Sequence, residues 1–258
     1  MIPKLQVKDL SYSYHTMDGE TEALSDISFE VSAGEFLAVV GPSGCGKSTL
    51  LSLICGLIKP DSGEVLLDGH SVSGVEAGIG YMLQKDHLFE WRTIFSNAAL
   101  GLEIQKKLTN EGKKRVSDLL SAYGLESFAD SRPSELSGGM RQRAALIRTL
   151  ALQPDLLLLD EPFSALDYQT RLSVCDDIST IIRGRKKTAV LITHDLSEAV
   201  SVADRILILT RRPGRIKGIL TMDFADKSLS PLKRRNCPEF SKYFNEVWRI
   251  LEQPGGVL

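Results

Sequence analysis

The sequence predicts an α/β fold built on a mainly parallel sheet, with an N-terminal antiparallel β subdomain and a helical subdomain inserted part-way along the chain. Three observations carry this. FLAVVG (Phe36–Gly41), DLLLLDEP and KKTAVLIT are apolar runs of strand length, and a helical stretch from Leu166 to Arg183 separates the last two. That alternation belongs to parallel strands joined by helices. LQVKDLSYSY and DISFEV alternate in polarity on either side of the turn-rich DGETEA, which reads as antiparallel strands at a sheet edge. From Lys85 to Leu152 the apolar spacing turns helical, β-branched residues thin out, and TNEGKK and ADSRPSE break the pattern.

The remaining elements follow in order. A helix is expected from Gly46 through Cys55, stopped by Gly56, and VLLDG and GYML read as two more short strands. The helical insert ends in a helix from Gly139 to Leu152, with Pro154 beyond it. RILILT and GRIKGIL form a late strand pair. Phe240, Tyr243, Phe244, Val247, Trp248 and Leu251 lie at helical spacing, and the stripe is read as core packing rather than a partner surface. No internal repeat or low-complexity segment is present. One domain is expected over 1–258, with a core at about 1–84 and 153–220, the helical subdomain at about 85–152 and a C-terminal helical extension at about 221–258.

Composition narrows the function classes. The chain has 31 Lys plus Arg against 33 Asp plus Glu, a formal charge of -2, so no overall basic field points to nucleic acid. Cys45, Cys55, Cys175 and Cys237 form no CxxC pair, which argues against a zinc site or a disulfide framework. No apolar run approaches the roughly 20 residues needed to span a bilayer, and MIPKLQVKDL lacks the apolar stretch of a signal peptide. Any membrane connection is expected to run through a partner.

Two motifs carry chemistry on their own terms. GPSGCGKST, Gly41 to Thr49, matches G-x-x-x-x-G-K-[ST] between a buried strand and a helix start. Gly41, Gly44 and Gly46 let successive backbone N–H groups turn inward, and the helix N-terminus adds partial positive charge for a β-phosphate. Lys47 adds a full charge, the Ser48 hydroxyl suits Mg²⁺, and Thr49 supports the α-phosphate side. Pro42, Ser43 and Cys45 complete the loop, the thiol as a bystander. LLLLDE, Leu156 to Glu161, delivers two carboxylates at the C-terminal end of a strand, where parallel sheets bind ligands. Asp160 is placed to order the metal, and Glu161 to orient and deprotonate an attacking water.

A third motif opens a second helix just before that strand. In LSGGMRQR, Leu136 to Arg143, Ser137 offers a hydroxyl, and Gly138 and Gly139 let backbone amides approach a phosphate. The motif resembles the signature of ATP-binding-cassette ATPases. The resemblance implies a P-loop NTPase core, with the helical subdomain inserted between the glutamine loop and the signature. It also implies a head-to-tail dimer, with ATP and Mg²⁺ between one copy's phosphate loop and the other's signature. Tyr14 resembles the aromatic that stacks on adenine, with Tyr12 as the alternative. Gln84 resembles the glutamine that reaches Mg²⁺ and senses the γ-phosphate. SALD, Ser164 to Asp167, resembles the loop that signals across the dimer, with Asp167 equally suited to capping a helix. His194 resembles the switch histidine that hydrogen-bonds the γ-phosphate and holds Glu161 and the water in line.

Among cassette ATPases the chain resembles the separately encoded motor subunit of a bacterial importer. Only about fifty residues separate Gln84 from Ser137, too few for the coiled-coil arm of a repair protein, and translation-type cassettes usually come in tandem. A soluble, non-transport cassette ATPase is the alternative. YMLQKDHLFEWRTIFSNAALGLE, Met140 in the signature, LSEAVSVADRILILTRRPGRI and RNCPEFSKYFNEVWRIL look like the nitrate, sulfonate and taurine subgroup. LFEWRT departs from the commoner Leu-Pro-Trp-Arg form by carrying Glu90. By resemblance, the stretch from Gln84 to Trp91 receives a membrane permease subunit, with an extracytoplasmic solute-binding protein as indirect partner. Phe89 and Trp91 are contact candidates, with subdomain core as the equal alternative. The expected location is the cytoplasmic face of the cell membrane, peripheral through the permease.

Overall fold

The computed structural model describes residues 2–17, 19–76, 78–164, 166–226 and 229–253; Asp18 of the DGETEA turn and Ala165 of the SALD loop lie outside the described residues. The chain opens with β1 (Leu5–Thr16) and β2 (Gly19–Val31), then β3 (Phe36–Val40), α1 (Lys47–Ile54), β4 (Ser62–Leu67), β5 (His70–Ser71) and β6 (Ile79–Met82). Three helices follow, α2 (Ile94–Ile104), α3 (Asn110–Ala122) and α4 (Gly138–Leu150). Thereafter strands and helices alternate: β7 (Leu156–Asp160), α5 (Tyr168–Gly184), β8 (Thr188–Ile192), α6 (Leu196–Val202) and β9 (Arg205–Leu209). The chain closes with β10 (Ile216–Thr221), α7 (Pro231–Arg234) and α8 (Pro238–Glu252).

The strands make two sheets. The larger has the order β10-β9-β3-β8-β7-β6, parallel throughout except for β10, which runs antiparallel to β9. All residues of β3, β7 and β8 are buried. Covering on both faces removes the need for polar residues, which is why these strands read as unbroken apolar runs.

The N-terminal strands correct the sheet-edge expectation. They belong to a separate four-stranded antiparallel sheet of order β2-β1-β4-β5. VLLDG, an isolated strand in the sequence, pairs with β1, Leu5 opposite Leu67. The two sheets face one another across α1, whose Leu50, Leu51, Leu53 and Ile54 share a core with Leu5, Val7 and Ile27 on one side and Leu156 and Val190 on the other. The helix that carries the phosphate loop is thus held from both sides.

Helices α2, α3 and α4 pack around Ile94, Leu102, Val116, Leu119 and Leu146, in a cluster continuous with Leu157, Leu159 and Leu191 of the parallel sheet. The C-terminal stripe needs one correction. Val247 and Ile250 are buried, and Phe240, Tyr243, Phe244 and Leu251 pack at the edge of a core made with α6 and β9, but Trp248 is 50% exposed. Its ring stacks on Phe244 at 6.4 Å between centroids. The stripe is wider than the groove that receives it, so the outermost ring is covered on one face only.

Candidate functional site

Most of the predicted site residues converge on a cleft of about 640 Å³ at the C-terminal end of the parallel strands, lined by Tyr14, Ser43, Gly44, Gly46, Lys47, Ser48, Thr49, Gln84, Glu161, His194 and Arg212. Gly44 and Gly46 have φ of 74° and 101°, left-handed values that glycine adopts without strain. Gly46 also sits against β2: a Cβ there would lie 2.8 Å from Leu24 Cδ2. Glycine at 46 therefore answers two demands, one of backbone shape and one of space.

Lys47 is 8% exposed, and its Nζ donates to the carbonyl oxygens of Gly41 at 2.9 Å and Pro42 at 3.0 Å. Two carbonyls hold this lysine, and among the described residues no carboxylate forms an ion pair with it. The Cys45 thiol lies 3.9 Å from Nζ; burial pushes its pKa up despite that cation, in keeping with a bystander.

Ser48 Oγ donates to Asp160 Oδ1 at 3.2 Å, joining the start of α1 to the end of β7. Tyr81, a residue the sequence reading passed over, donates its hydroxyl to Asp160 Oδ2 at 3.2 Å. No sequence signal marked it: β6 lies beside β7, with Tyr81 opposite Leu158, only in the folded sheet. Burial pushes the Asp160 pKa up, and the Ser48 and Tyr81 hydrogen bonds oppose the shift. Burial likewise drives the Tyr81 pKa above its usual value. The Ser48 hydroxyl, the Gln84 amide oxygen and the Asp160 carboxylate are hard oxygen donors of the kind Mg²⁺ takes alongside phosphate and water, so the residues fit that ion.

Glu161 is the most constrained of the acids. Its φ is 44°, a left-handed conformation costly for a non-glycine residue and typical of functional positions. Its N–H donates to Ile192 O at 2.9 Å. Gln84 Nε2 donates to Glu161 Oε2 at 2.9 Å, and His194 Nδ1 lies 3.2 Å from the same oxygen. Both flanks of His194 are clamped. Thr193 Oγ1 donates to Glu198 Oε2 at 2.6 Å and accepts from Asp195 N at 3.0 Å. Asp195 Oδ1 in turn caps α6 by accepting from Ser197 N and Glu198 N. Arg171, also absent from the sequence reading, places Nη1 3.5 Å from Asp195 Oδ2 and donates Nη2 to Leu166 O at 2.9 Å, tying the SALD loop to the histidine loop.

Tyr14 and Thr49, which also line the cleft, meet hydroxyl to hydroxyl at 3.0 Å. Tyr14 is 42% exposed, whereas Tyr12 packs partly buried against the core. That difference favours Tyr14 as the stacking residue.

Ser137, Gly138, Gly139 and Asp167 are not brought to this cleft. Ser137 is exposed and caps α4, accepting from Met140 N at 3.3 Å. Asp167 caps α5 by accepting from Thr170 N at 3.1 Å; hydrogen bonding from the Thr170 side chain, and then from its backbone, holds the carboxyl below the usual range. Beyond Gln84, Arg141 and Arg148 of α4 fix the chain: Arg141 Nε donates to Asp86 Oδ2 at 3.1 Å, and Arg148 donates to Asp86 O at 2.6 Å and His87 O at 2.7 Å. Phe89 and Trp91 lie next on the surface, rings 4.8 Å apart. Trp91 is 73% exposed, so the subdomain-core alternative does not hold for it.

A phosphate loop, two carboxylates at a strand end and a clamped histidine define a nucleotide-hydrolysing cassette, and comparison with known proteins agrees. The family model described as ABC transporter matches residues 24–164. An uncharacterised ABC transporter ATP-binding protein of Bacillus subtilis, YtlC, is 46% identical over 96% of this chain and 95% of its own. The taurine import ATP-binding protein TauB of Roseobacter denitrificans is 38% identical, with 96% of each chain covered. The dimeric cassette MJ0796, solved in a post-hydrolysis state with ADP and Pi, superposes with a TM-score of 0.74 at 30% identity, over 85% of this chain and 99% of its own. The chain belongs to the ATP-binding subunits of ABC transporters and is an ATPase.

Proposed function

We propose that the chain drives a bacterial importer of small nutrients such as nitrate, sulfonates or taurine, working as a head-to-tail dimer with two ATP and Mg²⁺ at the interface. The observation that carries this reading is the division of the site. One cleft gathers Lys47, Ser48, Gln84, Asp160, Glu161 and His194, while Ser137 stands exposed at a second helix start away from it. A second copy would bring its Ser137, Gly138 and Gly139 to that cleft, with Asp167 near the seam.

Within each cleft, the residues divide the work. Lys47 and the backbone N–H groups of 43–49 bind the β- and γ-phosphates, Thr49 supports the α-phosphate, and Tyr14 stacks on adenine. Mg²⁺, held by Ser48, Gln84 and Asp160, would neutralise phosphate charge. Glu161 accepts a proton from water as its oxygen attacks the γ-phosphorus; the bond to the β–γ bridging oxygen breaks, releasing ADP and phosphate. Gln84 and His194 keep the Glu161 carboxylate aligned. Loss of the γ-phosphate removes the charge that both copies share and lets the dimer open.

The core and the helical arm formed by α2, α3 and α4 are proposed as the two moving parts. The Phe89–Trp91 surface is proposed to dock a permease at the cytoplasmic face of the membrane, with a solute-binding protein acting through that permease. Among the described residues no helix is long and apolar enough to cross a membrane, so membrane attachment in this reading rests on the permease. The test is co-purification with the permease encoded nearest the gene, before and after Trp91→Glu. Loss of the permease with retained ATP binding supports the docking surface. A chain that never associates with a permease, yet hydrolyses ATP as a dimer, favours the soluble alternative.

A further inference from the structure

Beyond the expected motifs, one more cation reaches the nucleotide cleft. Arg212 lies in the loop joining β9 to β10 and lines the same cleft as Lys47. Its Nε donates to the carbonyl oxygen of Gly44 at 3.1 Å, on the phosphate loop itself. Among the described residues it has no carboxylate partner.

The loop that carries it is firmly seated. Gly214 N donates to Ala23 O at 2.9 Å and Ser25 N donates to Gly214 O at 3.0 Å. Thr210 Oγ1 donates to Pro213 O at 3.0 Å and accepts from Arg215 N at 2.9 Å. A Cβ on Gly214 would lie 2.3 Å from Cys45 O, so the loop rests directly on the backbone of the phosphate loop. An exposed arginine usually spends its charge in solvent. Here a fixed backbone and the Gly44 carbonyl hold the guanidinium at the cleft, while its Nη groups remain available.

We propose that Arg212 is a further nucleotide-binding residue, its guanidinium contacting the phosphates of ATP from the Gly44 side. Charge supports this: apart from Arg212 the cleft is lined by one lysine, Lys47, and the Glu161 carboxylate, with the Asp160 carboxylate on Ser48 Oγ. A second cation offsets that negative charge, and a planar donor fork suits phosphate oxygens. The proposal rests on the reading of this cleft as the ATP site.

The test is equilibrium binding of a non-hydrolysable ATP analogue and of AMP to the full-length chain. Arg212→Met keeps length and removes charge, and Arg212→Lys keeps the charge. Loss of a charge-assisted phosphate contact is expected to weaken the ATP analogue about tenfold in Arg212→Met, with less effect on AMP and an unchanged melting temperature without nucleotide. Arg212→Lys recovers most of the loss. Wild-type affinity in Arg212→Met overturns the proposal, as does an equal loss in both variants with lowered melting temperatures, which would mark a purely structural strut. Lys47→Ala serves as the control: normal binding there would overturn the assignment of the cleft itself, whatever Arg212 does.

Discussion

Two helix starts in this chain are proposed to meet phosphate, and they differ in how much surrounds them. At α1, a buried lysine, a serine hydroxyl, two carboxylates, a glutamine and a histidine converge within hydrogen-bonding distance of one another or of the loop. At α4, the corresponding start has a capping serine and two glycines, with no acid or base placed for chemistry. In the proposed reading the first binds and hydrolyses, and the second completes the site of another copy. The two are also wired together, since Arg141 and Arg148 of α4 grip Asp86 and His87, two and three residues after the Gln84 that touches Glu161. These contacts link α4 to the segment that carries Gln84, the partner of Glu161.

The largest effect expected is at Glu161. Glu161→Gln should slow hydrolysis by about 10²- to 10⁴-fold, or about 3 to 5 kcal/mol of barrier, while retaining ATP and trapping a dimer visible by size-exclusion chromatography. Near-normal turnover would break the assignment of chemistry to the α1 side.

Ser137 separates the cap from the proposed role in trans. Ser137→Ala should lower stability by about 1 kcal/mol through loss of the cap, read by thermal denaturation, and should impair hydrolysis by dimers without weakening ATP binding by monomers. Ser137→Asp keeps a good cap but sets a negative charge against the γ-phosphate. Stability should return and hydrolysis should not; recovery of both would reduce Ser137 to a cap.

The adjacent glycines sharpen the contrast further. A Cβ at Gly139 would lie 2.7 Å from Thr170 Cγ2, whereas at Gly138 it would meet Leu166 Cδ2 at an ordinary 3.5 Å. Gly139→Ala should therefore destabilise the fold by about 1–3 kcal/mol through overpacking of α4 on α5. Gly138→Ala should melt close to wild type, and any loss of activity in it would then report phosphate approach alone.

The smallest effect concerns Asp160. Its pKa is raised by burial, so ionising it costs more in the folded chain than in the unfolded one. Wild-type stability is expected to fall as pH rises from about 3.8 through the raised folded value. Asp160→Asn should melt slightly higher than wild type near neutral pH, with the gap closing as pH falls toward about 3.8. A gap that widens in acid would mean that Asp160 stabilises the fold as a carboxylate.

Much of the α1 side was legible because its requirements are local. Left-handed glycines, a lysine at a fixed offset and an apolar strand ending in two acids are short-range patterns, and β3, α1 and β7 appear close to where those patterns place them. Tyr81, Arg171 and Arg212 were not legible. Each acts by meeting a residue far away in sequence: Tyr81 meets Asp160, Arg171 meets Asp195, and Arg212 meets Gly44. No periodicity announces such meetings. The sheet-edge reading of the N-terminal strands failed for the same reason, since alternation reveals a half-buried strand but not which sheet it joins.

By itself, the sequence determined the kind of fold and the chemistry of the phosphate loop, because backbone geometry, burial and charge at that site are set by neighbouring residues. Tertiary structure decided which strands join the antiparallel β subdomain, the convergence of Gln84 and His194 on one oxygen of Glu161, the exposure of Trp91 and Trp248, and the separation of Ser137 from the cleft. These depend on which distant surfaces pack together, a property of the whole chain's burial rather than of any short segment.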